Sequence, residues 1–222
     1  SREQGKIAVE DAVRLLDDLI GGQYGNIANA RAAAGFWPAV STPDDHILFL
    51  DGTSSRRIVL DLPMERDLLR HTDRSPNTSL ADFIATGDSG HTPDHAGLFL
   101  LTASSPELEK LAESMKKRGD VYNSLILRTL LDLLAEAASE TLHNDLMAYS
   151  CGAPRGIRPA FGYPSCPDHT LKQSVVALLQ PEDDLGIALT SSCMLQPAAS
   201  VCGMYISHPQ AHYITVNKDP GL

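Results

Sequence analysis

The residues best suited to chemistry crowd into one stretch, GIRPAFGYPSCPDHTLK, running from Gly156 to Lys172. Prolines and glycines there surround an arginine, two aromatics and an acid-histidine pair. Arg158 carries a planar guanidinium fork that matches a carboxylate. Asp168-His169 sets a carboxylate beside an imidazole, a combination used in acid–base chemistry, although adjacent side chains rarely face each other. Pro159, Pro164 and Pro167 restrict the backbone and remove N–H donors, so their carbonyls are expected to be free for a ligand, with Gly162 permitting close approach. An ordinary proline-rich connection, its arginine paired with a surface acid, accounts for the same residues.

Other polar groups are more scattered. Asp132, Glu136 and His143 share one face of a helical stretch, where they form either a solvated stripe or a partial metal site. No second helix offers an equally spaced set, so no metal is expected. Asp94-His95 reads as a surface loop. Cys151, Cys166, Cys193 and Cys202 contain no C-x-x-C pair and are expected to be free thiols, mostly in the core. No nucleophile with a base and an orienting partner is legible, which leaves a free-standing hydrolase without support.

These groups need a scaffold. KIAVEDAVRLLDDLI places Val9, Ala12, Val13, Leu16, Leu19 and Ile20 at helical spacing and stops at Gly21-Gly22. HILFL and RRIVLDL flank the turn signal Asp51-Gly52 and predict a hairpin. PMERDLLRH predicts a short helix starting at Pro63, and AGLFLLTA a buried strand. Ser104, Ser105 and Pro106 supply the cap and first turn of PELEKLAESMKKRG. Asp120 to Tyr149 contains no proline or glycine, enough for ~45 Å of central, buried helix. IALT, SVCGMYIS and HYITV then predict strands, the last two joined through Ser207-His208-Pro209-Gln210. Trp37 reads as a core anchor. Strands and helices do not alternate regularly, so the class is α+β.

Composition bounds the function. The 222 residues, 43% hydrophobic and 21% charged, suit one domain with a packed core. A net charge of −10 argues against a nucleic-acid partner. No apolar run reaches the ~20 residues of a membrane span and no signal pattern opens the chain, so the cytoplasm is the expected location.

GIRPAFGYPSCPDHTLK followed by PAASVCGMYISHPQAHYITV resembles the C-terminal activation domain of cobalamin-dependent methionine synthases. The resemblance extends upstream through LAEAASETLH, SLADFIATGDSG with AGLFLLT, and GFWPAV, and so covers nearly the whole chain as one domain, 1–222. It implies a helmet-like α+β domain with a twisted antiparallel sheet flanked by helices, and a shallow groove for S-adenosylmethionine. In such domains the ligand serves reductive remethylation of cob(II)alamin, which reactivates the methyltransferase. The cobalamin is carried by a separate domain, and the electron comes from flavodoxin or methionine synthase reductase. The cobalt carries the chemistry, so no catalytic residue is assigned here.

Matched by motif, Arg158 is implied to contact the ligand carboxylate, with the main chain of Pro159 and Ala160 bordering the methionine part. Tyr163 is implied to lie near the sulfonium and the corrin face, and Tyr213 with Ile214 to border the ligand from the last strand. Base rates alone favour a packed sheet tyrosine for Tyr213. Glu136 matches an acid of the site, and Asp168-His169 is implied to meet corrin side chains. An upstream aspartate that contacts S-adenosylmethionine, an acid near the position of Gly152, a longer connection after Tyr149 and closing helices beyond Leu222 are features of such domains that this sequence does not show. These departures leave an alternative: a corrinoid-protein docking module that has lost S-adenosylmethionine binding.

Overall fold

The computed structural model describes residues 2–21, 29–53, 57–68, 77–87, 92–151, 156–180 and 185–217. Its centre is β4 (Asp94–Thr102), whose apolar run is buried on both faces. Leu98 and Leu100 join one hydrophobic cluster, whereas Phe99 and Leu101 join another on the opposite face. β1 (Arg31–Ser41) and β7 (Ser200–Ile206) flank β4 antiparallel. With β2 (His46–Leu50) and β3 (Ile58–Pro63) they complete a five-stranded sheet ordered β3-β2-β1-β4-β7. The expected α+β class with an antiparallel sheet is what the chain forms.

β1 carries no strand signal, because RAAAGFWPAVS is rich in alanine and broken by glycine and proline. Nine paired positions along β4 make it a strand. β2 joins it only from Ala39 onward, so Pro38 lies where one side of the strand has no described ladder to interrupt. Trp37 packs against the main cluster, edge-on to Phe49 at 6.4 Å between ring centroids.

The β2–β3 hairpin forms as expected, although residues 54–56 of its turn lie outside the described residues. The helix expected from Pro63 does not form among the described residues: Pro63 ends β3, residues 64–68 run on without helical structure, and residues 69–71 of the expected helix lie outside the described residues. Arg66 explains the difference. Its guanidinium is clamped by Asp45, with Nε 2.9 Å from Oδ2, and by Asp82 at 2.8 and 2.7 Å. Such a charged clamp outweighs a weak local helix preference.

α1 (Arg2–Gly21), α2 (Pro106–Lys117) and α3 (Val121–Cys151) match the expected helices. Ser105 caps α2 by accepting from Leu108 N at 3.3 Å. On α1 the buried residues are Leu15 and Leu19. Of the expected face, Val9, Val13, Leu16 and Ile20 are instead 63%, 51%, 39% and 65% exposed. α3 is not buried all round either. It buries a stripe at Leu127, Leu131, Ala135, Ser139, His143 and Met147, one residue every fourth position, while Leu125 and Leu133 face outward.

α4 (Leu171–Leu179) has no sequence expectation behind it, since LKQSVVALL contains paired valines and stops at Gln180 rather than glycine. IALT contributes only β5 (Ala188–Leu189), paired with β6 (Leu195–Gln196) in a separate two-stranded sheet. HYITV is not a strand. No helix among the described residues is long and apolar enough to cross a membrane.

Replacing Arg66 with alanine is expected to destabilise the domain by about 1–2 kcal/mol in urea unfolding near neutral pH. The guanidinium holds the Asp82 carboxyl below its ordinary range, so this contribution is present above the unfolded carboxyl value and lost as pH falls through the folded one. The gap between wild type and Arg66→Ala should therefore narrow below about pH 4.

Candidate functional site

The 156–172 stretch lies against the outer edge of β7. Ile157 exchanges backbone hydrogen bonds with Ile206 at 2.9 and 3.0 Å, Met204 N donates to Pro159 O at 3.0 Å, and Phe161 N donates to Cys202 O at 3.0 Å. The segment thus behaves as an irregular added strand. Gly203 makes room for it: a Cβ there would lie 2.5 Å from Pro159 O and 3.0 Å from Ala160 Cα. The expectation of proline carbonyls left free for a ligand is corrected for two of the three. Pro159 O is taken by Met204 N, and Pro164 O accepts from Val216 N at 2.9 Å.

Residues 212–216, expected as the last strand, run beside this segment without a sheet partner. Ser165 replaces the ladder: its Oγ donates to Ile214 O at 2.5 Å and accepts from Ile214 N at 3.1 Å. Tyr213 is 58% exposed and is not a packed sheet tyrosine. Its hydroxyl accepts the backbone N–H of Arg158 at 3.1 Å.

Between the two segments and α3 lies a groove of about 480 Å³. Arg158, Pro159, Ala160, Tyr163, Tyr213, Ile214 and Glu136, the seven residues expected at a site, all line it. Its polar centre is compact. Arg158 donates to Ser139 Oγ at 2.8 Å and lies 3.6 Å from Glu136 Oε2. Tyr163 OH donates to Glu136 Oε1 at 3.2 Å. Burial and then the charge of Glu136 push the Tyr163 phenol upward, so it is a hydrogen-bond donor at neutral pH. A cation, an anion and an exposed aromatic face thus meet in one groove, an arrangement complementary to a zwitterionic ligand with a second positive charge.

Ser139, which holds Arg158, and Ser165, which holds Ile214, are parts of this arrangement that the sequence reading did not point to. Ser139 follows Glu136 by three residues on the same helix face, which is a usable signal; Ser165 carries none. Asp132 is exposed, with its carboxyl raised by burial of the group. His143 is buried beneath the groove, 5.5 Å from the Tyr205 ring, and burial lowers its pKa. Asp94 and His95 are not a surface loop but the first two residues of β4, paired with Ala39 and Pro38, and Asp94 accepts from Ala85 N at 2.6 Å.

On the other side of Tyr163 a larger cleft of about 770 Å³ opens, lined in part by Arg31, Arg128, His169 and Lys172. Asp168 does not face His169. It accepts from Thr170 N and Oγ1 at 2.8 and 2.7 Å, whereas His169 Nδ1 lies 2.7 Å from Lys172 Nζ.

Residues 1–219 match the family described as vitamin B12 dependent methionine synthase, activation domain. This chain belongs to that family. A crystal structure of the MetH reactivation domain bound to AdoHcy is similar over 97% of this chain and 69% of that one, at 32% identity and a TM-score of 0.85. The fold is therefore shared over nearly all of this chain.

Among the described residues of this activation domain, no three His, Cys, Asp or Glu side chains converge as a metal site. Cys166, Cys193 and Cys202 are free and buried, as expected. The side chain of Cys151, and Gly152 with the connection after Tyr149, lie outside the described residues. Burial pushes the thiols of Cys166 and Cys202 up to about 12, so neither is a nucleophile at neutral pH. Iodoacetamide at pH 8 should leave Cys166 and Cys202 unmodified in the folded domain and alkylate both in urea, as read by mass spectrometry of the digested chain.

Proposed function

We propose that this activation domain binds S-adenosylmethionine in the Arg158 groove and holds its methyl group toward cobalamin carried by a neighbouring domain. The convergence of Arg158, Glu136 and Tyr163 in one groove is the observation that carries this reading. The amino-acid end of S-adenosylmethionine is a zwitterion, and the Arg158–Glu136 pair, 3.6 Å apart, is its complement. The guanidinium takes the carboxylate, while Glu136 turns to the ammonium. Ser139 keeps Arg158 in place during this exchange of partners. The Tyr163 ring, 53% exposed, meets the sulfonium and forms the wall between groove and cleft. The bound AdoHcy of the similar crystal structure is what S-adenosylmethionine becomes once its methyl group has left.

The cleft beyond Tyr163, lined in part by Arg31, Arg128, His169 and Lys172, would hold the edge of a docked corrin. Cobalamin supplies, when docked, the reduced cobalt that accepts the methyl group. The residues of this chain bind, orient and exclude water. In this role the domain restores a methionine synthase whose cobalamin has been oxidised to cob(II)alamin, and the methyltransferase activity belongs to the whole enzyme. The electron donor is flavodoxin or methionine synthase reductase. The exposed basic end of α2, Lys116 and Lys117, offers such an acidic partner a local attraction that the overall charge of −10 does not.

Calorimetric titration with S-adenosylmethionine should give saturable binding, weakened about 10- to 100-fold by Arg158→Ala and about tenfold by Glu136→Gln, with folding checked by circular dichroism. Absence of binding by the folded wild-type chain would leave a corrinoid-docking module in place of a methyl-donor site. Reversing Lys116 and Lys117 to glutamate should weaken reductase binding and flatten its salt dependence; unchanged binding would remove α2 from that interface.

A further inference from the structure

The cleft contains a buried cation that the methyl-donor groove does not use. Lys172, on the first turn of α4, is 5% exposed. Its Nζ lies 2.7 Å from His169 Nδ1 and has no other hydrogen-bond partner among the described residues. Burial pushes the ammonium downward, so losing that one partner would leave a poorly solvated charge. An ammonium has only protons to offer. With Lys172 charged, the contact requires a lone pair on Nδ1, and in an uncharged ring the proton is then on Nε2.

The ring also lies against Gly162, whose φ is +92°. A Cβ at that position would lie 2.2 Å from His169 Cε1 and 2.4 Å from Nδ1, so the imidazole occupies the space a side chain would need. His169 lines the cleft, and its Nε2 has no hydrogen-bond partner among the described residues. Glu109 is the only acid among the described residues lining the cleft. It is already engaged by Arg128 at 3.3 Å and by Ser104 Oγ at 2.7 Å. Among the described charged side chains of the lining, the cations Arg31, Arg128 and Lys172 thus outnumber an acid that is already engaged.

We propose that Lys172 is a positioning residue that holds His169 in its Nε2–H form, so that the cleft presents a fixed N–H donor to an acceptor oxygen of its ligand. The inference takes its ligand from the corrin reading above, in which the acceptor is a carboxamide oxygen on the rim of the macrocycle. Gly162, His169 and Lys172 then form one device: the glycine makes room for the ring, the lysine orders its proton, and the ring's far nitrogen meets the ligand.

Nitrogen-15 spectra of the labelled chain and titrations with cob(II)alamin, followed by visible absorbance, test this together. The His169 spectrum should show an unprotonated Nδ1 and a protonated Nε2; a protonated Nδ1 overturns the proposal. Lys172→Met should weaken cob(II)alamin binding about tenfold while leaving S-adenosylmethionine affinity unchanged. His169→Gln supplies an amide donor at the Nε2 position that needs no tautomer to be ordered. In that background Lys172→Met should cost nothing further, and an equal loss in both backgrounds would show that Lys172 acts directly. Binding of S-adenosylmethionine without binding of cob(II)alamin would overturn the corrin assignment of the cleft, leaving the tautomer to the spectrum and the groove to the calorimetry.

Discussion

Almost everything at the site follows from the way residues 157–161 lie along the edge of β7. The hydrogen bonds between Ile157, Pro159 and Phe161 and, respectively, Ile206, Met204 and Cys202 commit the backbone of the motif to a fixed line. A side chain at Gly203 would push that line away from the sheet. Once the backbone is committed, Arg158 projects toward α3, and Gly162 turns the chain so that Tyr163 stands between two cavities. The prolines contribute by stiffening a segment that has only one sheet neighbour, which lowers the entropy lost in holding it there.

The opposite wall depends on α3. Its buried stripe repeats every fourth residue and seats the helix against the sheet through Ala135 and Met147. Glu136 is adjacent to that stripe and lines the groove, whereas Ser139 belongs to the stripe and is fully buried behind it. The same packing buries His143 and the Tyr205 ring beneath Arg158, and burial raises the Tyr205 phenol while lowering the His143 imidazole. Both remain neutral near pH 7. The guanidinium therefore rests over a floor that carries no competing charge, and its strongest partners are those in the groove.

Charge is distributed against the average. A chain with a net charge of −10 gathers Arg31, Arg128, Lys172 and Arg158 around its two cavities. Long-range attraction is not the purpose of such a pattern, since each cation already has a protein partner: Ser104 O and Leu185 O for Arg31, Glu109 for Arg128, His169 for Lys172 and Glu136 with Ser139 for Arg158. Pre-arranged donors of this kind lose little entropy when a ligand replaces or joins the existing partner. The two cavities differ in what they can accept. The groove matches paired opposite charges, and the cleft matches neutral or anionic oxygens.

Local sequence determined the helices with clear caps and periodicity, the β2–β3 hairpin, the apolar run of β4 and the identity of the motif that carries Arg158 and Tyr163. These features are set by neighbours along the chain, where spacing and turn residues are sufficient evidence. Tertiary structure decided the rest. β1 exists because β4 supplies nine partners to a sequence with poor strand preference. Residues 64–68 stay non-helical because Arg66 reaches Asp45 and Asp82, 21 and 16 positions distant. Residues 211–217 miss the sheet because Ser165, 49 positions from Ile214, takes both hydrogen bonds that a neighbouring strand would have taken. The contacts of Ser139 and Lys172, and the carbonyls of Pro159 and Pro164 turned inward, belong to the same class. Each depends on which distant group arrives first at a given donor or acceptor, and that competition is settled only when the chain is folded.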